Sequence, residues 1–274
     1  MTNKVPTHES VAGFGSADAA AGTHPRPKIR RIGLKDLNDA LNKGFADFNV
    51  MPTHLFFLCL VYPIVTVIVA RTAAGYDLLP LVFPLLAGYT LIGPLIACGM
   101  YELSRRRELG LDISRKHAFD FLRFHSIGNI AVLGLVLTGI YFGWLAAAQT
   151  INATFLGAEP PASIDAFIDH IFNTPEGLAF IVVGNGVGFL FAVVVFTMSV
   201  VSFPMLLDRD VGVVTAVTTS IRAVLANPIT MAAWGVIVAG TLAAGSLPFF
   251  VGLAVVMPVL GHATWHLYRR VVEH

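Results

Sequence analysis

Charge is what this sequence has least of. Of 274 residues only 13% are Asp, Glu, Lys or Arg, while 55% are hydrophobic and the mean hydropathy is +0.73. Soluble domains carry roughly 25% charged residues. A supply this thin cannot cover a folded surface in water, which excludes an ordinary soluble domain and points to lipid as the main solvent. The net charge of +1 excludes nucleic-acid binding driven by bulk electrostatics. Two cysteines, Cys59 and Cys98, are too few for a disulfide scaffold. Also missing are a Walker loop, a paired His-Glu zinc motif and a Gly-x-Ser-x-Gly elbow. With no visible catalytic machinery, the chain is expected not to be an enzyme and to carry no cofactor.

What is present is a set of long stretches without charge. They lie between Asp47 and Arg71 (23 residues), Asp77 and Glu102 (24), Arg123 and Glu159 (35), Glu176 and Asp208 (31), and Arg222 and Arg269 (46). A spanning helix needs about 20 apolar residues. The first four gaps therefore predict one helix each, and the fifth predicts two, joined at Gly245-Ser246-Leu247-Pro248. The expected fold class is all-α, a polytopic membrane bundle. Its six transmembrane helices fall near 53–70, 78–101, 127–148, 178–203, 229–245 and 248–267.

Basic residues set the expected orientation. With both termini on one side, 17 of the 18 Lys and Arg residues fall on that side, and only Arg71 falls opposite. The positive-inside rule then makes both termini cytoplasmic, with the protein in the cell inner membrane. Residues 1–28 show no apolar period and read as a disordered cytoplasmic tail, leaving 29–274 as one membrane domain.

The second and sixth spans echo each other at an offset of 164: Pro84 with Pro248, Gly88 with Gly252, Pro94 with Pro258, Leu103 with Leu267, and Arg105-Arg106 with Arg269-Arg270. These prolines and glycines are the candidate helix-packing or cavity positions. Amphipathic stretches precede the hairpins, with Leu34, Leu37, Leu41, Phe45 and Phe48 at helical spacing in the first. The expected plan is repeated hairpins, each introduced by an interfacial helix on the cytoplasmic side.

Three segments resemble a family of integral membrane proteins of bacteria, domain of unknown function 2189. They are LLAGYTLIGPLIACGMYELSRR at Leu85–Arg106, SFPMLLDRD at Ser202–Asp210 and GHATWHLYRR at Gly261–Arg270. The resemblance implies a match over about 34–270, with the tail its most specific part. Some members are labelled putative cytochrome c oxidase subunits. The residues oppose a catalytic oxidase role, since only His54, His125, His262 and His266 fall near membrane depth. The resemblance supplies a topology and no activity.

His262 and His266 are four apart on one helical face. With Cys98 and Cys59 they form the only metal candidates the sequence offers. The competing explanation, an interfacial belt of Trp265, His266 and Tyr268 beside the terminal arginines, is preferred, so no metal is expected. No Asp, Glu, Lys or Arg falls in mid-span, where Asn185 and His262 are the nearest polar groups. In the outer loop 149–177, Ser163 caps a predicted helix whose Phe167, Ile168 and Ile171 form the candidate interaction surface. Partners are therefore the lipid bilayer and either a membrane protein or a second copy, with no nucleic acid. The expected role is a non-catalytic accessory, assembly or scaffold protein. The family's oxidase label suggests a respiratory complex as its setting. The alternative is a channel or facilitator for a neutral or lipid-like solute.

Overall fold

The computed structural model describes residues 27–51, 53, 62, 64, 65, 67, 68, 71, 75–89, 93–124, 126–157 and 159–273. Most of the expected first span, with His54 and Cys59, lies outside the described residues, as does the expected tail except for Pro27 and Lys28. The described chain is all-α. Its helices are α1 (Leu34–Val50), α2 (Val82–Tyr89), α3 (Gly93–Ile96), α4 (Cys98–Glu108), α5 (Ile127–Phe155), α6 (Ile164–Asn173), α7 (Pro175–Ser199), α8 (Ser202–Asp208), α9 (Val213–Ala226), α10 (Pro228–Ser246) and α11 (Leu253–Val271). Tighter 3-10 turns occupy Tyr76–Leu81 and Arg115–Arg123.

Among the described residues, three helical stretches are long and apolar enough to cross a bilayer: Ile127–Phe155, Pro175–Asp208 and Pro228–Ser246. They fall on the expected third, fourth and fifth spans. Within the described part of 78–101, the 3-10 turn Tyr76–Leu81, which contains Pro80, leads into α2, and Ala97 separates α3 from α4; residues 90–92 lie outside the described residues. Helix α11 is not among the three. Its His262, Trp265, His266 and Tyr268 lower its hydropathy, and 12 of its 19 residues are buried within the protein.

The core joins α5, α8, α9, α10 and α11 through Leu133, Leu137, Phe203, Ala216, Ala223, Met231, Trp234, Trp265 and Tyr268, all buried. Helix α7 behaves differently: only 6% of the most apolar window in Pro175–Asp208 is buried, and Val182, Phe189 and Leu190 stand outward. A face this apolar is stable only where the solvent is lipid or another protein.

The helices of the basic end touch through small residues. A side chain at Gly44 of α1 would lie 2.6 Å from the Ala263 backbone nitrogen of α11, and one at Gly261 would lie 2.9 Å from Met100 of α4. Helix α1 buries Leu37, Ala40, Gly44 and Asp47 on one row, whereas Leu34 and Phe45 of the expected apolar stripe remain exposed. The contact row is thus rotated from the apolar stripe, as suits a helix that meets protein on one side and an interface on the other.

Candidate functional site

The arginine-rich end of the bundle gathers its charges around Asp47. That carboxylate is 4% exposed and accepts three side-chain hydrogen bonds, two from α4 and one from α11. Ser104 Oγ of α4 donates at 2.5 Å, His266 Nε2 of α11 lies at 2.9 Å and Arg107 Nη1 of α4 donates at 2.7 Å. Ser104 Oγ also lies 2.7 Å from His262 Nδ1. With the Ser104 hydroxyl donating to Asp47, His262 Nδ1 carries the proton that Ser104 accepts. The result is a row of four polar side chains, buried except for the partly exposed His266, that pins α1 across α4 and α11. Burial pushes the Asp47 carboxyl up, but hydrogen bonds from His266 and Ser104 and the adjacent histidine charges outweigh it. The group is held below the usual aspartate range.

A second buried carboxylate, Glu102, is fully enclosed and faces Arg105 at 2.7 Å and Arg106 at 3.8 Å. Its bidentate pair with Arg105 keeps the guanidinium firmly charged. Around the rim, Glu108 binds Arg269 at 2.9 Å and accepts from Trp265 Nε1 at 3.1 Å. Arg270 faces Asp36 and Asp39. Asn227, just before α10, accepts from Ile32 N–H at 2.8 Å and donates to Arg30 O at 3.1 Å, sewing the incoming chain to the bundle. Between these groups opens a cavity of about 540 Å³, with Asp47 and Ser104 among its lining residues.

The two histidines singled out by their spacing come together here. Cys98 does not join them through a hydrogen bond; its thiol donates to Pro94 O at 3.6 Å. Among the described residues no three His, Cys, Asp or Glu side chains are arranged to hold a metal ion. Pro84 sits inside α2 and its carbonyl accepts from Trp144 Nε1 at 3.0 Å, while Pro94 opens α3 and Pro258 is buried within α11. Gly88 falls in α2. Pro248 and Gly252 form the turn before α11, where a side chain at Gly252 would lie 2.7 Å from Gly245 O. On α6, Ile171 is buried against Gly177 and Phe167 is half-buried, so the outward row is Ile164, Ile168 and Phe172. Asn185 donates to Ile181 O of its own helix.

Sequence reasoning used Asp47 and Glu102 as markers of where the charge-free stretches end, and counted Arg107 among the basic residues that set the orientation. One signal could have promoted Asp47. It continues the row Leu37, Ala40, Gly44, and small residues at that spacing mark a close helix contact.

Residues 82–208 match the family model DUF2189, described as a predicted integral membrane protein. Over that stretch the chain is DUF2189-like. The matched segment is narrower than the 34–270 read from the sequence, and the tail at Gly261–Arg270 falls beyond it. It contains α4, and so contributes Ser104 and Arg107 to the site, while Asp47, His262 and His266 come from helices on either side. No curated protein and no solved structure matches the chain.

Proposed function

We propose that this integral membrane protein is a non-catalytic accessory, assembly or scaffold protein of the inner membrane, with both termini cytoplasmic. The observation that supports this reading is the division of labour among the helices. The interior is filled by Trp234, Trp265, Phe203 and their neighbours, while the most apolar window of Pro175–Asp208 is only 6% buried, with Val182, Phe189 and Leu190 of α7 turned outward. A helix that contributes so little to the chain's own core is available to a neighbour in the membrane. A respiratory complex, the setting suggested by the label some family members carry, is the first assembly to examine.

The test is native mass spectrometry of the full chain extracted from its own membrane in mild detergent. A complex of fixed stoichiometry that dissociates when Val182 and Phe189 are replaced by Ala is expected. A free chain that also conducts a neutral solute in liposomes would overturn the reading and favour a channel or facilitator.

A further inference from the structure

The cavity at the arginine-rich end has a chemistry of its own. Its lining carries Arg30, Lys43, Arg107, Arg269 and Arg270, with His266, against only two carboxylates, Asp47 and Glu108. Both carboxylates are already engaged. Asp47 takes Arg107, His266 and Ser104, and Glu108 takes Arg269 and Trp265. The further acids that hold Arg269, Arg270 and Arg30, namely Asp208, Asp36, Asp39 and Glu273, stand outside the lining. Lys43 is exposed and has no hydrogen bond or ion pair among the described residues. Arg107 commits a single nitrogen, Nη1, to Asp47.

We propose that this cavity binds a phosphate-bearing anion, either free or as the headgroup of an anionic lipid. Three features select phosphate chemistry. The guanidinium groups and the Lys43 ammonium in one lining supply the several charged donors that a phosphate group accepts. The volume of about 540 Å³ suits a phosphate with a small polar substituent. The lining holds no Phe, Tyr or Trp on which a base could stack, which disfavours a nucleotide. The location adds a lipid route. Phe45, two residues from Lys43, is 53% exposed, so an acyl chain can run along α1 while its headgroup enters the cavity. Basic pockets between membrane helices at this level are the sites where anionic headgroups are held.

The experiment uses the full chain in detergent, with binding read by native mass spectrometry and thermal shift. The probes are inorganic phosphate, sn-glycerol 3-phosphate, short-chain phosphatidylglycerol and short-chain phosphatidylcholine. Lys43→Gln and Arg30→Gln are the test variants, since each removes a charge that carries little of the fold. Lys116→Gln, outside the cavity, is the control. Binding of phosphatidylglycerol over phosphatidylcholine, weakened about tenfold by each test variant and unchanged by the control, is expected. Equal binding of the soluble phosphates identifies the free anion as ligand, and their failure beside phosphatidylglycerol identifies the lipid. Binding of none of the anions, or anion binding indifferent to Lys43 and Arg30, overturns the proposal. Because that outcome does not depend on any protein partner, it is separable from failure of the scaffold reading.

Discussion

The two ends of this bundle solve opposite problems. At one end Asp47, Glu102, Ser104 and His262 are buried, and each carboxylate is met by an arginine. At the other, the turn between α10 and α11 carries no charge at all, and Leu247 and Phe249 are 84% and 87% exposed. In water the second arrangement would be the costly one. The turn nonetheless satisfies its own backbone: Phe249 N–H donates to Leu247 O, Phe250 N–H to Ser246 O and Val251 N–H to Pro248 O. An apolar, internally bonded turn is what a bilayer requires. The lengths agree. Helix α5, with 29 residues, extends about 44 Å, and α10, with 19, about 28 Å. Both begin a few residues after a basic residue, so the α10–α11 turn stops well short of the far end of α5.

The largest effect should come from emptying the charged end of its central anion. Asp47→Ala leaves Arg107, His266 and Ser104 facing each other without their acceptor, and should cost about 3–5 kcal/mol in unfolding measurements in detergent. The pH dependence has a definite sign. A carboxyl held below its unfolded value of about 3.9 stabilises the fold above that value and loses its contribution as pH falls through the lower, folded one. Thermal stability of the natural protein should therefore decline below about pH 4, and Asp47→Asn should remove that component of the decline. An identical acid profile in the variant would assign the charged end's stability to other groups.

Next comes the contact that brings Asp47 to its partners. A methyl group at Gly44 would already lie within 2.8 Å of three Ala263 atoms, two of them backbone, so α1 must lift from α11 to admit any side chain. Gly44→Val should cost about 2–3 kcal/mol. Its cost combined with Asp47→Ala should fall short of the sum, because both changes release the same helix. Full additivity would mean that the close approach and the ion network stabilise the bundle independently.

How far these regions were legible follows from what charge counting can see. The stretches flanked by Arg123 and Glu159, and by Glu176 and Asp208, became α5 and α7–α8 because an uninterrupted apolar run in lipid has no competitor to a helix. The span read at 229–245 emerged as α10 at Pro228–Ser246, its end marked by Gly245 and Pro248. Residues 78–101 were less legible, since the same count is blind to local backbone geometry such as the 3-10 turn that holds Pro80. The row Asp47–Ser104–His262 was not legible at all: its members are 57 and 158 positions apart and meet only through packing. What the spacing did give was the neighbouring pair His262 and His266 on one face of α11, without its partners.

The apolar turn offers a test whose sign decides the comparison. Phe249 and Phe250 hold φ of 49° and 65°, the left-handed region that phenylalanine occupies at a cost. Aspartate tolerates that region better. If the turn met water, Phe249→Asp would stabilise the protein by relieving strain. In lipid, the charge should outweigh that relief, and a net loss of about 1–2 kcal/mol is expected. A gain in stability in bicelles would place the turn in water and leave Leu247 and Phe249 in need of a protein partner.

The smallest expected effect lies at the edge of the charged end. Arg30 and Glu273 approach to 3.8 Å with side chains 54% and 42% exposed. An ion pair at that distance and exposure is screened by water, and Glu273→Gln should shift stability by less than about 0.5 kcal/mol. The backbone of the same residue does more than its carboxylate, since Glu273 N–H donates to Lys28 O and Glu273 O accepts from Arg209. Proline at position 273 would remove the first of these bonds and should cost more than the charge change, despite leaving the terminus equally exposed. If Glu273→Gln instead matched a substantial part of the Asp47 effect, the stability of the charged end would reside in its whole electrostatic field rather than in the few buried pairs, and exposure would no longer rank its charges.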